Sequence, residues 1–91
     1  DVNERVVQLL ARLIANYGRT VANGDVYLDI RITHQDMANM IGTTRQSVTS
    51  ALNLLRRQGV LEFDANHRIL VHDSALLADA HFISGSSPSR V

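Results

Sequence analysis

Residues 33–61, T-H-Q-D-M-A-N-M-I-G-T-T-R-Q-S-V-T-S-A-L-N-L-L-R-R-Q-G-V-L, constrain the fold of this chain more than any other stretch. Two helical patterns lie on either side of Gly42-Thr43-Thr44. So short a link leaves room only for two helices packed across a tight turn. Thr33 is placed to cap the first helix through its hydroxyl, and Asp36 stands where the reciprocal partner of a capping box belongs. The first helix is therefore expected to begin near His34. Met37, Ala38 and Ile41 share one face of it, and the small Ala38 allows a second helix to approach closely. Gly42 can take a positive φ without a Cβ clash, which suits a connection this short. Thr44 is the expected cap of the second helix.

From Arg45 onward, Val48, Ala51, Leu52 and Leu55 recur at the spacing of a core-facing stripe. Arg45, Gln46, Thr49, Ser50 and Asn53 occupy the opposite face; all can hydrogen-bond and none is acidic. Such a face suits a groove of DNA. Gly59 is the expected stop, with Arg56 and Arg57 in the last turn, where positive charge complements the helix dipole. Net charge over the whole chain is zero, so indiscriminate attraction to nucleic acid is not expected. The distribution differs from the sum: between Met37 and Leu61 there are three Arg and no acid. All nine basic residues are Arg. Bidentate contacts with phosphate or guanine would favour that choice, and so would a biased genome composition.

The remaining segments read as support for this motif. Val2, Val6, Leu9, Leu10, Leu13, Ile14 and Tyr17 form the apolar stripe of an opening helix, with Glu4, Arg5, Gln8 and Arg12 on its wet side and Gly18 at its end. It is expected to be a scaffold helix without chemistry of its own. Asn23-Gly24 is a strong hairpin signal, and the V-Y-L-D-I-R-I run after it alternates, so two short antiparallel strands are expected between Arg19 and Ile32. The alternation does not say which face of so small a sheet is covered. Val60–Phe63 and Arg68–Val71, around Asp64-Ala65-Asn66-His67, read as a second hairpin, a wing whose Leu61, Phe63, Ile69 and Val71 cover the end of the core. Its tip residues Asn66, His67 and Arg68 either reach a phosphate or form a solvated loop, since Asp64 repels the same partner. Asp73 or Ser74 is placed to cap a short helix through Ala75, Leu76, Leu77 and Ala80. The fold class expected is α+β: a winged helix-turn-helix of about three main helices, with a short N-terminal hairpin and a C-terminal wing. Residues 1–80 would form one domain, and residues 81–91, ending S-G-S-S-P-S-R-V, a disordered tail.

Several functions are set aside on composition. At 91 residues the chain holds a single small core, and no stretch approaches the roughly 20 apolar residues of a membrane span. Without Cys it can form no disulfide, thiolate zinc site or iron-sulfur centre, and a reducing cytoplasm is compatible. The four His, at 34, 67, 72 and 81, never pair at i, i+4 and fall on different expected elements, so no metal site is expected. No glycine elbow surrounds a Ser and no phosphate-binding glycine loop occurs, so neither an enzyme nor a resident cofactor is expected. The two Met residues of the first motif helix read as core fillers. Because the chain begins at Asp1 and not at Met, it is expected to be a piece of something longer.

The stretch T-H-Q-D-M-A-N-M-I-G-T-T-R-Q-S-V-T-S-A-L resembles the DNA-binding domain of the Crp/Fnr (cyclic-AMP receptor and fumarate-nitrate regulator) family of transcription regulators. The opening D-V-N-E-R-V-V-Q-L-L helix, the L-D-I-R-I-T segment and the hairpin ending I-L-V-H-D follow that family's order, so the resemblance covers roughly residues 1–80. It implies a DNA-binding domain of a dimeric bacterial regulator, with the helix over residues 45–58 in the major groove and an inverted-repeat operator. Arg45, Gln46, Thr49 and Ser50 would face base edges. Thr33, His34, Gln35, Thr44 and Ser47 would lie near the sugar-phosphate backbone, where helix N-termini donate amides to anions. Asn53, Arg57, His67 and Arg68 join the expected backbone contacts from the polar helix face and the wing. A sensor domain and a dimerisation helix, expected upstream, would carry the effector, which this sequence does not identify. The resemblance also implies that the Arg19–Gly24 turn touches the RNA polymerase α subunit in an activator, although hairpin geometry alone accounts for Asn23-Gly24. One departure stands out. The family's common Arg-Glu-x-Val-x-Arg is here Arg45-Gln46-Ser47-Val48-Thr49-Ser50, which removes an acceptor for cytosine and a guanine or phosphate contact. Two alternatives remain at this stage: a winged helix used for protein contacts, which should show apolar anchors where this chain has polar ones, and a winged-helix regulator of another family.

Overall fold

A computed structural model of the protein describes residues 1–72. The expected helix near residues 75–80 and the tail over 81–91 lie outside the described residues. Three helices, α1 (Val2–Tyr17), α2 (His34–Ile41) and α3 (Arg45–Arg57), pack on one antiparallel sheet of four short strands, β1 (Gly18–Thr20), β2 (Val26–Leu28), β3 (Leu61–Phe63) and β4 (Ile69–Val71). A single turn of 3-10 helix, Ala22–Gly24, joins β1 to β2. This is the expected α+β winged helix-turn-helix, with one difference. The N-terminal hairpin and the wing are not separate: β4 pairs with both β3 and β2, giving the order β1-β2-β4-β3. Val71 sits opposite Leu61 on one side and Val26 on the other.

Each helix end has a local cause. Asp1 caps α1 through its carboxylate, which accepts the Asn3 N–H at 2.7 Å. The capping box of α2 is complete: Thr33 Oγ1 accepts the Asp36 N–H at 2.9 Å, and Asp36 Oδ2 accepts the Thr33 N–H at 3.0 Å. Gly42 closes α2 in the left-handed region at φ 69°, and the Thr43 N–H returns to the Ala38 carbonyl at 2.9 Å. At the end of α3 the Val60 N–H reaches the Leu55 carbonyl and the Gly59 N–H reaches that of Arg56, both at 3.0 Å. With Gly59 at φ 79° and Val60 and Leu55 both buried, this is a Schellman stop with its apolar clasp.

The core gathers the stripes read from the sequence: Val6, Leu9, Leu10 and Leu13 of α1, Met37 and Ala38 of α2, and Val48, Ala51, Leu52 and Leu55 of α3, with Leu28, Leu61, Ile69 and Val71 from the sheet. Four expectations are corrected. Met40, read with Met37 as a core filler, is 54% exposed on α2. Tyr17 is not part of the stripe; its side chain is 48% exposed at the last turn of α1. The strand expected to reach Ile32 stops at Leu28. Its partner β1 begins directly at the end of α1, so the last backbone bond, Asp29 N–H to the Tyr17 carbonyl at 3.1 Å, already meets the helix, and no strand remains to pair with residues 30–32. Ile30 and Ile32 nevertheless keep their inward side and pack on the core. Finally, Asn23-Gly24 does not make a two-residue turn. Both residues take positive φ, 64° and 83°, inside a three-residue loop closed by the Val21 N–H on the Asp25 carbonyl at 2.9 Å.

Candidate nucleic-acid interface

The N-terminus of α3 is built around Thr44. Its hydroxyl oxygen accepts the Ser47 N–H at 3.1 Å, and its O–H donates to Ser47 Oγ at 3.0 Å. That arrangement fixes both side chains at the helix entry and half-buries Ser47. Arg45, Gln46 and Ser50 project into solvent from the first two turns, while Asn53 is half-buried further along. Arg57 is exposed at the other end of α3, about 18 Å along the axis at 1.5 Å per residue, so it does not share a surface with Arg45. No acidic residue lies on α3 or on the turn before it.

Thr49 differs from the other expected base readers. It is half-buried, and its hydroxyl lies 2.7 Å from His34 Nδ1. His34, the first residue of α2, thereby ties the entry of one helix to the middle of the next. Its ring also meets Phe63 of β3, centroids 6.4 Å apart and tilted by 42°. Burial, with the positive charge of Arg45 and the neighbouring His67, holds the His34 pKa below the ordinary 6.5, so the ring is neutral at pH 7. Thr33 and Gln35 flank it on the exposed side, where the Gln35 amide donates to Asn39 Oδ1 at 3.0 Å.

The wing closes the third side. Ile30–His34 and Ala65–Arg68 line a groove of about 490 Å³ between the start of α2 and the wing tip. Asp64 organises that tip. One carboxylate oxygen accepts the N–H groups of Asn66 and Arg68 at 2.8 and 2.9 Å, and the other accepts the Tyr27 hydroxyl at 2.7 Å. These bonds push the Asp64 pKa down and the Tyr27 pKa up. The acid expected to repel a phosphate is thus committed to holding the loop. His67 is exposed and takes a left-handed φ of 63°, closing a three-residue turn in which its N–H meets the Asp64 carbonyl. Arg68 does not extend from the tip as expected: its guanidinium turns back to Asp29 at 3.3 Å, and Arg19 lies 3.7 Å from the same carboxylate.

The fold therefore gathers the expected residues around two grooves, Thr33, His34 and His67 on one and Thr44, Gln46, Ser47 and Ser50 on the other, with Thr49 bonded to His34, Arg45 close to the same ring and Gln35 exposed next to it in sequence. It sets Arg57 apart and engages Arg68 elsewhere. It also adds residues that the sequence reading passed over. Val2 and Asn3, from the helix expected to be pure scaffold, line a cleft with Thr44, Gln46, Ser47 and Ser50. Arg31, expected on a strand, lines the groove beside His34. Nothing in the local sequence marks Val2 and Asn3, whose proximity to the motif arises only when α1 packs against α3; Arg31 joins because β2 stops at Leu28 and leaves it beside the start of α2. Among the described residues no group of three or more His, Asp or Glu side chains could hold a metal ion, and no helix is long and apolar enough to cross a membrane.

Comparison with known proteins points the same way. The family model for the Crp-like helix-turn-helix domain matches residues 4–80. The anaerobic regulatory protein of Bacillus subtilis is 35% identical over 63 residues, 69% of this chain and 26% of that protein. The global nitrogen regulator of Nostoc is 32% identical over 78 residues, 86% of this chain and 34% of that protein. Among solved structures, the CO-dependent transcription factor CooA from Carboxydothermus hydrogenoformans superposes with a TM-score of 0.77 at 29% identity, covering 88% of this chain and 36% of CooA. The chain thus spans between a quarter and about a third of the two curated relatives.

Proposed function

Since the chain belongs to the family of Crp-like helix-turn-helix domains, we propose that it binds double-stranded DNA sequence-specifically, as the DNA-binding part of a transcription regulator. The observation that carries this is the acid-free polar face at the start of α3, with Arg45, Gln46 and Ser50 exposed beside the capped N-termini of two helices. Arg45, Gln46, Thr49 and Ser50 face base edges in the major groove. Thr33, His34, Gln35, Thr44, Ser47 and the wing residue His67 lie along the backbone, where amides and imidazoles meet phosphate. Asn53 is a further backbone contact at the edge of that surface. Arg57 and Arg68 are the weaker members of the proposed set, one for its distance and the other for its pairing with Asp29. No catalytic step is assigned, and the place of action is the cytoplasm.

Titrating the chain with duplex at several salt concentrations tests the reading. Affinity should be weak for one domain and fall steeply with salt, because each neutralised phosphate releases counterions. Affinity indifferent to salt would remove the electrostatic argument. In a longer, dimeric protein two recognition helices would meet an inverted repeat with half-sites about 34 Å apart, which footprinting reads directly. Full-affinity binding to a single half-site would argue against the dimer.

The segment from Arg19 to Gly24, the end of β1 and the turn that follows it, is proposed as a contact for the RNA polymerase α subunit in an activator. Arg19, Thr20 and Val21 are exposed there, and Arg19 packs over the Tyr27 ring at 5.4 Å. Alanine at each of the three, with Asn23-Gly24 kept, should lower transcription from a dependent promoter and leave DNA binding intact. Unchanged transcription in all three leaves the loop a connector.

A further inference from the structure

Thr49 stands among the proposed base readers, yet its hydroxyl is the one in that set held by a side chain of another helix. The bond to His34 Nδ1 is short, 2.7 Å, and both residues are half-buried. The ring has little freedom to leave, since Phe63 of β3 faces it and it stands in the capped first turn of α2. A threonine hydroxyl has one proton to donate and lone pairs to accept with. What Thr49 can offer outward therefore depends on what His34 asks of it. A neutral ring protonated on Nε2 uses Nδ1 as an acceptor. It takes the Thr49 O–H and leaves only oxygen lone pairs toward a partner. A ring carrying a proton on Nδ1 donates to Thr49 Oγ1 and frees the O–H to point away.

We infer that His34 is a specificity-positioning residue: its protonation switches Thr49 between presenting an acceptor and presenting a donor to DNA. The inference deepens the DNA-binding reading and rests on it. With the ring neutral, Thr49 favours a base edge that donates, such as the cytosine or adenine amino group. With the ring protonated by solvent, Thr49 favours an acceptor edge, guanine O6 or N7, adenine N7 or thymine O4. The charged groups around the ring come from three sides. Arg45 projects from α3 and His67 from the wing, Arg31 and Arg68 line the groove, the latter paired with Asp29, while Asp36 on its own helix is occupied by the Thr33 N–H. Burial first, then Arg45 and His67, oppose protonation in the free protein. A phosphate laid in the groove would offset the charge of those two residues, so the ring would take up its proton more readily in the complex.

Two measurements decide it. In the free chain, nitrogen NMR of the imidazole should find the neutral ring protonated on Nε2, with its midpoint below 6.5. A neutral ring protonated on Nδ1 overturns the inference, because Thr49 would then be an outward donor at every pH. For the complex, the chain is offered a pool of duplexes randomised over one half-site at about pH 5 and about pH 8, spanning the histidine range, and the retained sequences are read. Because His67 is itself a proposed backbone contact, the selection is run with the unaltered chain, and His67→Gln serves as a separate control in which the change in preference should persist. Preference at one base pair should change by about fivefold between the two conditions, the worth of one hydrogen bond. The change should vanish in His34→Gln and in Thr49→Val, and persist in Thr49→Ser, which keeps the hydroxyl. Identical preferences at both pH values, or a change that survives Thr49→Val, would refute it. If the ring behaves as expected in the free chain but no duplex is retained at either pH, the DNA-binding reading fails and this inference falls with it.

Discussion

At the scale of single residues, the proposed interface makes unequal demands. Arg45 is exposed, close to the helix entry and able to form a bidentate pair with guanine. Arg45→Ala should therefore cost roughly 1 to 3 kcal/mol on a preferred duplex and relax preference at one base pair. Equal loss on preferred and random duplexes would identify Arg45 as a phosphate contact. His72 tests the electrostatics of the sheet. Its Nδ1 lies 3.1 Å from Asp25 Oδ2 and its Nε2 lies 2.8 Å from Glu62 Oε2, so it bridges the β1-β2 loop to the wing. The Asp25 bond is the largest cause that raises its pKa above 6.5; burial, the next largest, opposes it, and the charges of Glu62 and Asp25 add to the rise. The folded chain thus holds this proton more tightly than the unfolded chain. The stabilisation is complete below 6.5 while both carboxylates stay ionised, and it is lost as pH rises through the raised value. Because the His34 pKa is lowered, that residue acts in the opposite sense over the acid side of the same range. Urea melts of wild type and His72→Gln at about pH 6 and about pH 8.5 separate the two, since the linkage belongs to the altered group. The gap between them should be larger at the lower pH; a gap that is equal at both values would show that the bridge does not titrate.

At the scale of elements, two glycines act for different reasons. Gly42 holds φ 69° with open space around it, a Cβ there meeting nothing nearer than an Arg5 nitrogen at 3.8 Å. Gly42→Ala should cost about 1 to 2 kcal/mol, the strain of the left-handed region, and Gly42→Asn should recover part of it. Gly18 has an ordinary φ of −73°, yet a Cβ would stand 2.4 Å from the Ile14 carbonyl oxygen and 2.9 Å from a Val26 methyl. Alanine there must push β2 away from the end of α1, so its effect on stability should exceed the roughly 0.5 kcal/mol typical of a surface change. Denaturant titration of both variants is the check, and a neutral Gly18→Ala would mean that the helix end simply yields.

The whole molecule depends on the two inner strands, β2 and β4, each paired on both edges. Val71 and Leu52 are fully buried in one cluster that spans α1, α3 and the sheet. Leu52→Ala should cost about 2 to 5 kcal/mol. Against a domain stability of roughly 5 to 15 kcal/mol, that is a large share. Because the wing shares β4 with the N-terminal hairpin, amide exchange in β3, β4 and β2 should respond together in this variant. A wing that exchanges independently of β2 would show that the sheet is not one cooperative unit.

The sequence alone determined most of the local features: the starts of α2 and α3, the Thr33–Asp36 box, the Thr44 cap, the Gly59 stop and the buried stripes apart from Tyr17 and Met40. Each of these is set by contacts within a few residues, or by a periodicity that a single element must satisfy whatever it packs against. The acid-free face of α3 was legible for the same reason, since a face is a matter of spacing. Tertiary structure alone decided the joining of the two hairpins through β4, the early end of β2, the turning of Arg68 to Asp29 and the bond between His34 and Thr49. These depend on where separate elements come to rest. The side-chain partners involved are 15 and 39 residues apart, and the paired strand residues Val26 and Val71 lie further apart still, separations at which no local pattern signals contact.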